Sequence, residues 1–169
     1  MSTTAILTNL LRHQAWAHDG FLKILAETDA EAHAEVRHTA LRILNHCYVV
    51  NQIFAGHLTG RPHGYAENNT IETPTPDALR AAHAASDRWL LEYVASMTPE
   101  QLSERVPFTF TDGDRGAMTR EEMLFHLVTH GSYHRGEVGR LLKQISSPLP
   151  WDTFAVFLHQ DEPARREHG

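Results

Sequence analysis

His126, His130 and His134 recur every four residues in the stretch HLVTHGSYHRGE, residues 126–137. Residues four apart on a helix share a face, with Cβ atoms about 6 Å apart. From that span two imidazoles can reach one metal ion. The outer two histidines are separated by about 12 Å of helix rise, so one ion takes only one adjacent pair. On a helical wheel with His130 at zero, the apolar residues Met123, Leu127, Val138, Leu141 and Ile145 fall at about 20–80°. His134 lies at about 40°, inside that stripe, and His126 at about −40°, outside it. The wheel therefore selects His130 and His134 as the inward pair.

A third histidine, His46, shares a face with Val49, Val50 and Ile53 in a separate helical pattern. Burying three imidazoles is costly unless their nitrogens have partners, and one divalent ion supplies all three. Cys47 is the single cysteine. A cysteine-rich zinc site and an intrachain disulfide are thereby excluded, which leaves His, carboxylate and water as ligands. Three neutral imidazoles with open positions suit a catalytic Zn²⁺ or a six-coordinate Ni²⁺. Glu137 follows His134 by three residues and His130 by seven, so it faces the same region. It is the candidate catalytic residue: it could orient a ligand ring, act as a base or ligate. The alternative is a solvent-facing partner of Arg140. Tyr133 is expected to point elsewhere, Arg135 to pair with an acid on a neighbouring helix, Cys47 to be buried and Asp152 to be a cap.

Positioning these groups requires helices. Residues 4–27 carry an apolar stripe of Leu10, Ala17, Phe21, Ile24 and Leu25. Residues 37–59 form a second pattern that stops at Thr59-Gly60-Arg61-Pro62. Residues 61–76, RPHGYAENNTIETPTP, read as a loop long enough to shape a site mouth. Thr75-Pro76-Asp77 opens a third helix with the stripe Leu79, Ala82, Ser86, Trp89, Leu90, Tyr93 and Met97, closed by Thr98-Pro99. Residues 104–111, ERVPFTFT, alternate as one short strand entering a turn, with Pro107 confining it to an edge. Thr119-Arg-Glu-Glu122 is a capping box that starts a fourth helix running to about Ile145. Gly131, Gly136 and Gly139 interrupt that helix, which makes sense if another backbone packs closely on it. A short segment after Trp151-Asp152-Thr153 closes the chain. The predicted fold is all-α, a four-helix bundle with a strand and turn inserted before the last long helix, in one domain over residues 1–169. Bundles build metal sites from side chains on facing helices.

The chain has 169 residues and a formal net charge of −6. That balance offers no electrostatic footprint for nucleic acid or an anionic membrane. No apolar run approaches a membrane span, and His13, His18 and Asp19 interrupt any signal-like core. The expected location is cytoplasmic.

The stretch HLVTHGSYHRGEVGRLL resembles the signature helix of the DinB-like four-helix-bundle metalloproteins, approximately H-x-x-x-H-x-x-x-H-R-G-Q. ILNHCYVVNQIFAGHLTG, around His46, resembles that family's second helix. HQAWAHDGFLKILAE, the T-R-E-E cap and the closing P-x-P-W-D-T-F segment are similar as well, so the likeness covers nearly the whole chain. It implies that His46, His130 and His134 bind the metal, that His126 does not, and that the protein is a homodimer. Family members include transferases and isomerases that use low-molecular-weight thiols, and others called hydrolases. The expectation is therefore a metal-dependent enzyme activating a water or such a thiol for a small-molecule substrate. The alternative is a non-catalytic metal- or small-ligand-binding stress protein. Glu137 stands where the family usually has Gln.

Overall fold

The computed structural model describes residues 2–166. In chain order these form α1 (Thr3–Glu27), α2 (Ala34–Thr59), α3 (Pro76–Ser96), a one-turn α4 (Pro99–Leu102), β1 (Arg105–Thr109), β2 (Arg115–Thr119), α5 (Arg120–Gln144), α6 (Phe154–Asp161) and a 3₁₀ turn at Pro163–Arg165. The protein is mostly α, and its four long helices are those expected. Around the bundle the order of neighbours is α1, α3, α2, α5, with α1 diagonal to α2.

Local chemistry fixes the ends. Gly60, at φ 67°, terminates α2 in the left-handed conformation that a side chain resists. The Thr75 hydroxyl accepts from Ala78 N–H to start α3. The capping box of α5 is complete: Glu122 N–H donates to Thr119 Oγ1 and Thr119 N–H to a Glu122 carboxylate oxygen. Arg120 then ties this end to the end of α2 by donating to the Leu58 carbonyl.

Three expectations are corrected. The single strand over 104–111 is half of an antiparallel hairpin, with Val106 opposite Met118 and Phe108 opposite Gly116. Its partner, RGAMT, lacks the bulky alternation that marks a strand. The glycines of α5 do not receive a neighbouring backbone. A Cβ at Gly131 would lie 3.0 Å from Arg135 Nη1 and Gln14 Oε1, one at Gly139 would touch only the Phe21 ring, and one at Gly136 would meet nothing within 4 Å. The buried stripe of α3 is rotated from the one read in the sequence: it runs Leu79, His83, Ser86, Asp87, Leu90 and Val94.

That rotation exposes how the interior is layered. One apolar cluster gathers Leu7, Leu11, Ile53, Phe54, Leu90, Val94 and Leu127. The other gathers Phe21, Leu25, Leu41, Leu44, Leu79 and Val138. Between them, at the middle of the bundle, every long helix contributes buried polar groups: Gln14 and His18, Asn45, His83 and Asp87, and Arg135.

Candidate metal centre

The middle layer reaches the surface between α2 and α5, where His46, His130 and His134 converge. All three are half-buried. The sequence reading had them facing the core; they sit at its edge, which leaves the group accessible from outside. His46 Nε2 lies 3.0 Å from His130 Nε2, and His134 Nε2 lies 3.1 Å from the same atom. Two nitrogens each about 2.1 Å from one ion are separated by about this much.

The outer nitrogens are already committed. The loop after α2 is tied down by Asn45, which donates from Nδ2 to Thr70 Oγ1, and by Asn69, which donates to the Arg42 carbonyl. This sets the Asn68 carbonyl oxygen 2.7 Å from His46 Nδ1. A carbonyl only accepts, so that Nδ1 carries the proton. One turn along α5, a Glu137 carboxylate oxygen lies 2.5 Å from His134 Nδ1, which carries a proton for the same reason. In neutral rings, both Nε2 atoms are then bare lone pairs. His130 Nε2 can carry one proton and satisfy only one of them. His130 Nδ1 is buried and, among the described residues, has no hydrogen-bond partner. All the bonding of His130 is therefore at Nε2, in a group that hydrogen bonds alone leave one proton short. A divalent cation among three lone pairs removes the conflict, so the residues fit a metal.

Electrostatics agree. Burial, then the imidazoles of His134, His46 and His126, push His130 down to about 3, which keeps it neutral, as a ligand must be. Burial also lowers His46, against the Asn68 hydrogen bond. His126 stays outside the group: its ring packs on Phe54 at 4.8 Å between centroids.

A second cluster was missed in the sequence. His18, His83 and Asp87 bring potential ligand atoms within 4.8 Å of one another, fully inside the bundle. The signal was present, since His83 and Asp87 are four apart on α3, but the stripe assigned to that helix placed them outside. Here His83 Nε2 donates to the Leu44 carbonyl at 3.0 Å, and its Nδ1 is buried without a partner among the described residues. His18 Nδ1 donates to Asp87 Oδ2 at 3.0 Å, and Gln14 donates to the other oxygen at 3.3 Å. Arg135 Nη1 stands 3.5 Å from His18 Nε2, which must then be the accepting nitrogen. An ion on His18 Nδ1 would move that proton to Nε2, against the guanidinium. Burial raises Asp87, but His18, His83 and Gln14 outweigh it and hold the carboxyl below its ordinary value. This cluster is a buried hydrogen-bonded network whose groups lie close enough to hold an ion, with His18 Nδ1 already committed to Asp87.

The remaining candidates fall into place. Arg135 is fully buried and donates from Nε to Asp152 at 2.8 Å. Its acid comes from the segment before α6, not from a neighbouring helix. Asp152 is consequently no cap: the N-cap of α6 is Thr153, without a side-chain hydrogen bond. Cys47 is buried, which pushes its thiol up to about 12. Tyr133 is exposed. Glu137 bonds to His134, and no Arg140 ion pair forms among the described residues.

A model of the DinB family matches residues 1–166. The chain belongs to the DinB family. The helices carrying His46, His130 and His134 all lie within the match. No curated protein matches the chain. Among the described residues of this DinB protein, no helix is long and apolar enough to cross a membrane.

Proposed function

We propose that this DinB protein is a metal-dependent enzyme whose ion, Zn²⁺ or Ni²⁺, is held by His46, His130 and His134. The observation that carries the reading is the convergence of three Nε2 atoms while two of the opposite nitrogens are anchored by acceptors. An ion bound there lowers the pKa of a water or of a low-molecular-weight thiol, so that a nucleophile exists near neutral pH. The chain's own groups do the rest. The Asn68 carbonyl and the Glu137 carboxylate fix ring orientation and keep both Nε2 atoms bare. The half-buried position leaves the three rings partly open to solvent, the side from which a small-molecule substrate would approach. Glu137 is a positioning residue through Oε2, and its exposed carboxylate is the candidate on α5 to receive a proton. The reaction class is hydrolysis or thiol S-transfer, with isomerisation a variant of the latter. We also propose a homodimer through the outer face of α5, where Tyr133 is exposed beside Gly136, which has nothing within 4 Å.

One observation favours the binding-only alternative: the best candidate base is already engaged with His134. Metal analysis of the purified protein, followed by a screen of thiol transfer and ester or amide hydrolysis with and without the ion, separates the two. Metal-dependent turnover supports the enzyme. Stoichiometric metal without turnover leaves a metal-binding protein.

A further inference from the structure

On the side of α2 away from the three histidines, a cavity of about 500 Å³ opens between α2, α3 and the loop after Gly60. That volume is within the range of small-molecule sites. Its wall is fixed by a close approach: a Cβ at Gly56 would come within 2.8 Å of the Arg61 carbonyl oxygen, so only glycine lets the loop lie this near the helix.

The lining is one-sided in its chemistry. The chain carries a net charge of −6, yet no Asp or Glu lines this cavity. Arg61 does, and its guanidinium makes no hydrogen bond or ion pair among the described residues. His63 Nδ1 accepts from Tyr65 N–H at 3.1 Å, so the proton of its neutral ring is on Nε2 and can be donated. Ser86 Oγ, buried on α3, accepts from Gln52 at 3.0 Å, which frees its own proton. Tyr48 adds a neutral hydroxyl: burial, then the Tyr65 side chain it is hydrogen-bonded to, raises it above its ordinary value. Trp89 supplies a flat ring, itself stacked on Tyr93 at 5.2 Å. A donor-rich wall with one free cation and an aromatic face is complementary to an acceptor-rich anion bearing a planar group.

We propose that this cavity is a binding site for a small aromatic carboxylate, separate from the three-histidine centre. Arg61 pairs with the carboxylate and Trp89 stacks on the ring. The site does not depend on the metal.

The test is calorimetric titration of phenylacetate, and of its neutral counterpart phenylacetamide, into the full-length protein. The same titrations are run on Arg61→Gln, Trp89→Leu and His130→Ala. The expected result is saturable one-to-one binding of phenylacetate and a loss of about tenfold or more in affinity for phenylacetamide. Arg61→Gln should weaken phenylacetate by a similar factor, and Trp89→Leu should weaken both ligands. His130→Ala should change neither. Arg61 is exposed and unpaired, so its variant is expected to melt as the parent does. Failure to saturate at millimolar concentration, equal binding by Arg61→Gln, or loss of binding in His130→Ala alone would each overturn the proposal. The last would mean that the carboxylate had bound a metal.

Discussion

A carboxylate on the far nitrogen of a ligand imidazole does two things: it locks the tautomer and makes the near nitrogen a better donor. Glu137 stands in that relation to His134. Glu137→Gln keeps an acceptor for the Nδ1 proton but removes the charge. Metal affinity is expected to fall by about tenfold, and Glu137→Ala to cost more, within the 10–100-fold range of such partners. Chelator competition on the purified variants reads both; equal affinity in all three proteins would show that Glu137 only caps a surface ring. That His46, His130 and His134 could share one site was legible from spacing and from the helix faces they occupy. The groups holding them were legible only in part. Glu137 is three residues from His134 and could be named, with its role left open. The Asn68 carbonyl could not, because a backbone oxygen carries no sequence signal and its place depends on how Asn45, Asn69 and Thr70 fold the loop back onto α2.

At the scale of elements, α5 shows why three glycines in one helix have three different meanings. Gly131 leaves room for Arg135 and Gln14, whose atoms a Cβ would approach to 3.0 Å. Gly131→Ala is therefore expected to destabilise by about 1–3 kcal/mol through overpacking of the polar layer. Gly136 has no neighbour within 4 Å, so in the monomer Gly136→Ala should stabilise by up to about 1 kcal/mol through helix propensity. Urea unfolding of the two variants tests the contrast, and equal shifts would contradict it. The sequence predicted each long helix because caps and apolar stripes are local signals. It misled on α3 because His83 and Asp87 are polar yet buried. Their burial depends on His18, Gln14 and Arg135 arriving from other helices. The second strand was hidden because RGAMT is short and pairs by backbone hydrogen bonds that need no particular side chains.

For the whole molecule, a polar layer between two apolar clusters makes stability depend on pH. Burial, then His18, pushes His83 down to about 3 in the folded protein. In the unfolded chain a histidine titrates near about 6.5. As pH falls through that value the unfolded chain takes up the proton first. The stability from a neutral His83 is full above about 6.5 and is lost progressively towards about 3. Of the fall in unfolding free energy between pH 7 and 4.5, His83 should account for about 2 kcal/mol, and in chelator the equally lowered His130 adds to it, before the lowered carboxyls of Asp87 and Asp152 protonate. His83→Gln should make that slope shallower without abolishing it; an unchanged slope would remove His83 as a contributor. Light scattering at micromolar concentration tests the proposed dimer, and a monomer would refute it. The most direct test of the central claim is calorimetric titration of Zn²⁺ or Ni²⁺ into chelator-treated protein and its four histidine variants. The expected result is one ion per chain in the wild type and in His126→Ala, and no stoichiometric binding in His46→Ala, His130→Ala or His134→Ala. A wild type that binds no ion, or a His134→Ala variant that keeps one while His126→Ala loses it, would contradict the assignment.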